Sequence, residues 1–140
     1  MPAHVLLDTN IVSELWRPRP DPGVVAFVCS LDAYAVSVVV LHELTYGVER
    51  APPEARNRLR LFLSEWRAQI GDAILAVDAA IAEGAGRMRA LAQARGRVLH
   101  VEDAIIAATA LARGATLATR NVRDFDGLDL ALINPFAADP

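Results

Sequence analysis

Apolar residues fall in short blocks along the chain, and the period of the blocks changes from one segment to the next. Val5-Leu6-Leu7 runs straight into Asp8-Thr9-Asn10, the pattern of a strand buried on both faces that stops on polar groups. It is expected to be the first, central strand of a parallel sheet, with Asp8 at its carboxyl end. Ile11 to Trp16 reads as a short helix or turn, stopped by Pro18 and Pro20. Asp21 and Pro22 read as an N-cap and first helical residue, with Val24, Val25, Phe27, Val28 and Leu31 as the apolar face.

Tyr34 to Val39 is expected to be a second buried strand, followed by a helix from about Leu41 to Arg50 that Pro52 and Pro53 end. Glu54 to Ile70 is the clearest amphipathic helix. Leu59, Phe62, Leu63, Trp66 and Ile70 share one side, and Arg56, Arg58, Arg60, Glu65 and Arg67 line the other. Gly71 ends it. Ala73 to Val77 reads as a short strand, and Asp78 caps a helix that runs to about Arg95 and stops at Gly96. Glu102 to Arg113 is a helix, stopped by Gly114, and Ala115 to Thr119 is a strand. A turn spans Asn121 to Gly127, and Leu130 to Ile133 makes a last short strand. Strands alternating with helices predict a parallel sheet flanked by helices, an α/β/α sandwich, in one domain over residues 1–140.

Composition narrows the class. Apolar residues make up 54% of the chain and charged residues 22%, which argues for a packed core and against disorder. The one cysteine, Cys29, excludes an intramolecular disulfide and a cysteine-based zinc site and fits a reducing compartment. No apolar run approaches the ~18 residues of a membrane span. Asp8 falls where the apolar region of a signal peptide would lie, so a cytoplasmic protein with no membrane association is expected. Net charge is −3, which does not advertise nucleic-acid binding. All 14 basic residues are arginine. The missing lysine rules out a P-loop, a Schiff-base enzyme and the usual response-regulator receiver.

The candidate chemistry is acidic. Asp8 follows an apolar strand, where an unpaired carboxylate is expensive to bury, although capping the next helix would also explain it. Glu43 lies early in the helix after the second strand, among core-forming neighbours, and Asp103 opens a helix that is almost wholly apolar after its first turn. Glu102 is adjacent, and only one of the two is expected to point into a common site. Asn121 and Asp124 are the polar candidates past the strand that ends at Thr119. Carboxylates that share a pocket repel one another and take up protons unless a cation is present. Hard oxygen ligands without His or Cys suit Mg²⁺, with Mn²⁺ as the alternative, better than Zn²⁺.

Four segments in order carry a family resemblance: Leu6-Leu7-Asp8-Thr9-Asn10, Ser37 to Gly47 with Glu43, Glu102 to Ala110 with Asp103, and Ala118-Thr119-Arg120-Asn121 to Phe125. Together they resemble a PIN-domain ribonuclease, most closely the VapC toxins of bacterial toxin–antitoxin pairs, over nearly the whole chain. The resemblance implies a compact α/β/α fold, Mg²⁺-dependent endoribonuclease activity, homodimerisation and a VapB-type antitoxin partner. Asp8, Glu43 and Asp103 match the family's acidic positions. Asn121 stands where many relatives have Asp, and Asp124 lies a turn further on.

On this reading Asp8 and Asp103 hold Mg²⁺, and Glu43 completes the shell or acts as base, with Asp124 as a further candidate ligand. Thr9, Thr119 and Asn121 orient the ligands, and Arg120 and Arg123 are candidates for RNA phosphate contacts. Three rival readings stand beside it. A metal-independent ribonuclease would need His4, His42 and His100 paired at one site. A phosphatase of the haloacid-dehalogenase type would need a second acid at Asn10 and a lysine. The third is a catalytically silent PIN-like module that only holds RNA or protein. The face of Leu59, Phe62 and Trp66 was a candidate dock for an inhibitor helix, with core packing as the alternative.

Overall fold

The computed structural model describes residues 4–137. Strand β1 (Val5–Leu7) stops at Asp8, and helix α1 (Thr9–Leu15) starts at once. Helix α2 (Pro22–Ser30) begins as expected, with Asp21 accepting hydrogen bonds from the Gly23 and Val24 N–H groups. There follow β2 (Val36–Ser37), α3 (Val38–Glu49), α4 (Pro53–Ile70), β3 (Ile74–Leu75), α5 (Ala79–Ala94), α6 (Val101–Arg113), β4 (Thr116–Ala118) and β5 (Leu132–Ile133). A single 3-10 turn, Val122–Phe125, lies between the last two strands.

All strand pairings are parallel. β4 lies between β1 and β5, and β2 pairs with β3. A bridge between Leu6 and Ala35 ties the two groups together, with the Leu7 N–H donating to the Ala35 carbonyl at 3.0 Å. β1 is therefore central. The chain builds outward from β1 on one side through β2 and β3, then returns to its other side with β4 and β5. Such a reversal leaves a crevice beyond the carboxyl ends of the two strands where it occurs, and those ends are Asp8 and Thr119.

The core explains why α6 is so apolar. Ala104, Ile106, Ala107, Ala108 and Ala110 are buried, and the small side chains let the helix lie close to α5, whose Ala85, Met88 and Ala92 are also buried. Gly114 adopts a left-handed conformation (φ 60°) that ends α6 and turns the chain into β4. Helix α4 attaches mainly through Trp66, whose indole N–H donates to the Tyr34 hydroxyl at 3.0 Å. Its ring meets Trp16 edge-on, with centroids 6.2 Å apart. Burying a side chain of this size contributes roughly 1.5–3 kcal/mol.

Several boundaries differ from expectation. The second strand ends at Ser37 rather than Val39, and α3 begins at Val38 instead of Leu41. The valine run favours strand, but Ser37 caps the helix by accepting from the Val39 N–H at 3.2 Å, and Val40, Leu44 and Val48 then bury at helical spacing. Ala73 belongs to a 3-10 turn, so the third strand is only Ile74–Leu75, and the last strand loses Leu130 and Ala131. Trp66 is enclosed by the core, which removes it from any docking face; Leu59 and Phe62 remain half-buried.

Candidate active site

Asp8 is 4% exposed and has two tasks. Its Oδ1 accepts from the Thr9 N–H at 2.7 Å and caps α1. Its Oδ2 accepts from the Thr119 hydroxyl at 2.8 Å and from the Asn10 side-chain amide at 3.3 Å. The Thr119 bond spans the gap between β1 and β4, at the reversal in strand order. Thr119 is itself fully buried and accepts from the Asn121 N–H at 3.0 Å. Asn10 uses its Oδ1 to accept from the Arg120 N–H at 3.1 Å. Asn10 thus ties the two strand ends together. Sequence reasoning did not assign it a role, and its place two residues after an expected buried acid was the available signal.

Glu43 reaches the same crevice from α3. Its Oε1 accepts from the Thr9 hydroxyl at 2.9 Å, so Thr9 serves Asp8 with its backbone and Glu43 with its side chain. Asp103 comes from the first turn of α6 and is half-buried. Among the described residues no hydrogen-bond donor reaches its carboxylate, in contrast to Asp8 and Glu43.

All three carboxyls are shifted upward. For Asp8, burial is the main cause and the charge of Asp124 adds to it, against the lowering effect of Thr119, Thr9 and Asn10. For Glu43, burial again leads, the Thr9 bond opposes it, and the charges of Asp8 and Glu102 raise it further. Asp103 is pushed up to about 6 by burial and then by the charges of Asp8, Asp124 and Glu43, with His100 opposing. The charge of Asp8 reaches Glu43 and Asp103, and that of Asp124 reaches Asp8 and Asp103. Asp124 carries the charge that Asn121 lacks. Glu102 is exposed but raises Glu43, so both members of the Glu102–Asp103 pair border the cluster from different sides.

Arg120 is exposed, with its guanidinium over the Phe136 ring at 4.7 Å. The exposed Arg123 lies on the 3-10 turn, which the Arg97 side chain holds through the carbonyls of Arg123 and Asp126. His42 and His100 flank Glu43 and Asp103 as neighbouring charges.

The donor set fits a hard divalent cation. The polar side chains at the strand ends are carboxylates, hydroxyls and amides, and a dication would offset the repulsion that raises the carboxyls. Among the described residues no ready-made cluster of three or more His, Cys, Asp or Glu side chains stands placed to hold a metal ion. Mg²⁺ does not require one, because it keeps several waters and binds through one or two carboxylates.

A parallel α/β sheet with carboxylates gathered at its strand-order reversal is an arrangement that several protein families share, and similarity to known proteins narrows it to one. The PIN domain family model matches residues 5–129. VapC ribonuclease Y4jK of Sinorhizobium fredii is 31% identical, covering 94% of this chain and 97% of its own length. Toxin FitB of Neisseria gonorrhoeae is 34% identical over 94% and 98%. The crystal structure of FitAcB from the same organism superposes with a TM-score of 0.86 at 33% identity, covering 94% of this chain and 97% of that one. The structure of VapBC2 from Rickettsia felis, bound to a DNA fragment from their promoter, matches with a TM-score of 0.78 at 26% identity, over 94% and 98%. The chain belongs to the PIN-domain family, and within it to the VapC-type toxins. No described helix is long and apolar enough to cross a membrane.

Proposed function

We infer that this protein is a metal-dependent endoribonuclease, the toxin of a toxin–antitoxin pair, acting in the cytoplasm. The observation that carries the reading is the convergence of Asp8, Glu43 and Asp103, all with raised proton affinity, at the carboxyl end of the central strand. A silent binding module would bear the cost of that cluster without using it.

Asp8 and Asp103 would hold Mg²⁺, directly or through water, with Asp124 as the fourth acidic neighbour. The ion supplies charge neutralisation at the phosphoryl oxygens and a water of lowered pKa. Thr119, Asn10 and the Thr9 N–H keep the Asp8 carboxylate in one orientation. Thr9 occupies Oε1 of Glu43, which leaves Oε2 to complete the shell or to take the proton of the attacking water. Water is the nucleophile, so the ribose 2′-hydroxyl is not used, and cleavage leaves 5′-phosphate and 3′-hydroxyl ends.

The substrate is single-stranded or loop RNA, whose unstacked backbone enters a crevice more readily than a duplex. An uninhibited ribonuclease harms its own cell, and a VapB-type antitoxin is the partner that answers this. An Arg from such a partner would pair well with the carboxylates. Homodimerisation is the assembly that the family resemblance implies.

The test is to incubate the purified protein with RNA and Mg²⁺ and map the ends. New 5′-phosphate ends that disappear in excess EDTA are expected, together with loss of growth inhibition in Asp8→Asn and Asp103→Asn. Cleavage that persists in EDTA would overturn the metal-dependent reading.

A further inference from the structure

Beside the carboxylates lies an open cavity of about 790 Å³ between α1, α3 and α4. Thr9, Glu43 and Glu102 line it next to the candidate active site; Tyr46, Arg50 and Arg58 also line it. Tyr46 sits three residues after Glu43 on α3, one turn and ~4.5 Å of rise away, so the ring and the carboxylate share a face of the helix.

Tyr46 is 61% exposed, although it is large and partly apolar. The Arg50 guanidinium covers one side of its ring at 5.2 Å from the centroid. Arg58 lies over Phe62 in the same way at 5.7 Å. Among the described residues neither Arg50 nor Arg58 forms an ion pair, whereas Arg17, in the same cavity, is held by Glu14 at 3.5 Å. Two unneutralised cations and an exposed ring therefore stand beside an acidic site. An exposed ring offers a face to any base, and guanidinium forks match phosphate oxygens.

We propose that this cavity is the substrate track for single-stranded RNA, with Tyr46 stacking on a base beside the scissile phosphate and Arg50 and Arg58 contacting neighbouring phosphates. The assignment rests on the ribonuclease reading and deepens it, because it gives the substrate a direction of approach from the α3–α4 side. It also places the main phosphate contacts away from Arg120 and Arg123. Tyr46, Arg50 and Arg58 are exposed or half-open positions, so their replacement leaves the core intact.

The experiment uses the full chain with Asp8→Asn, titrated with a fluorescein-labelled single-stranded RNA at several salt concentrations. Arg50→Gln with Arg58→Gln should reduce the slope of log affinity against log salt by about 1.4, at about 0.7 for each lost phosphate contact. Tyr46→Leu should weaken binding about tenfold without changing the slope, and Tyr46→Trp should restore it. In the cleaving protein Tyr46→Leu should raise KM about tenfold and leave kcat within about twofold. Unchanged affinity and slope in these variants, with the parent still binding RNA, would overturn the track. So would variants that lose only binding of a co-expressed VapB-type antitoxin, since the cavity would then hold a peptide. An Asp8→Asn parent that does not bind RNA, together with an unsubstituted protein that does not cut it, would remove the ribonuclease reading itself, and the track with it.

Discussion

Asp8 and Asp103 are both carboxylates raised by burial, yet they are held in opposite ways. Asp8 lies at the seam between β1 and β4, where a backbone N–H, a hydroxyl and an amide all point at it. Asp103 projects from the open end of α6 with no donor on it and with three acids facing it. On the proposed metal-dependent reading, the difference separates two kinds of ligand. The Asp8 geometry is set by folding alone, whereas Asp103 is a charge that the metal-free protein tolerates poorly. One would anchor the site, and the other would give a cation most to offset.

The largest effect expected to probe this contrast is loss of cleavage. Asp8→Asn should lower the single-turnover rate on the order of a thousandfold. Because the amide cannot accept from all three donors, the variant should also gain no stability. Asp103→Asn should be nearly as inactive but should raise the unfolding free energy of the metal-free protein at pH 7.5, read from thermal melts, by on the order of 1 kcal/mol once solvent screening of a half-open group is discounted. Equal stability changes in the two variants would erase the distinction.

The pH dependence follows from the same shift. The Asp103 carboxyl moves from 3.8 up to about 6 on folding. The folded protein therefore binds its proton more tightly than the unfolded chain does. This contribution to stability is fully present below about pH 4 and is lost as pH rises through about 6. Thermal melts without metal should fall across that window, and saturating Mg²⁺ should flatten or reverse the trend. Mg²⁺ affinity, read by calorimetry, should weaken below pH 6.

A smaller effect is expected at Thr119→Val, which removes the hydroxyl on Asp8 Oδ2 and should cost about 10–100-fold in Mg²⁺ affinity. Thr9→Val should cost less, since Asp8 keeps the Thr9 N–H and only Glu43 loses its donor. The smallest is Asp124→Asn. It withdraws one charge from the neighbourhood of Asp8 and Asp103, and should lower the pH at which Mg²⁺ binding fails by a fraction of a unit.

Much of this was legible in the chain. The Val5-Leu6-Leu7 run ending on Asp8 located the central strand, because an apolar block buried on both faces has few other homes. The helices were marked by Asp21, Asp78, Gly71 and Gly114, whose capping roles are local. The β2–α3 junction was not, because the strand preference of Val38-Val39-Val40 is overruled by one hydroxyl at Ser37 and by packing that no window shows. At the site, a cap explains only half of Asp8: Oδ1 takes the Thr9 N–H, while Oδ2 is held by Thr119 and Asn10 across the strand ends. The role of Asn10 was invisible because its partners, Thr119 and the Arg120 N–H, lie more than a hundred residues away in the chain.

The pair of indoles has an optical consequence. The chain contains two tryptophans, and they touch. Trp66 is sealed in the core against Tyr34, while Trp16 borders the cavity beside α3 and α4. Intrinsic emission therefore has a shielded and an accessible source in contact. A solute quencher should reach only the Trp16 side, and a chain laid in the cavity should cut that access. Occupancy can then be followed in the unlabelled protein, by light alone.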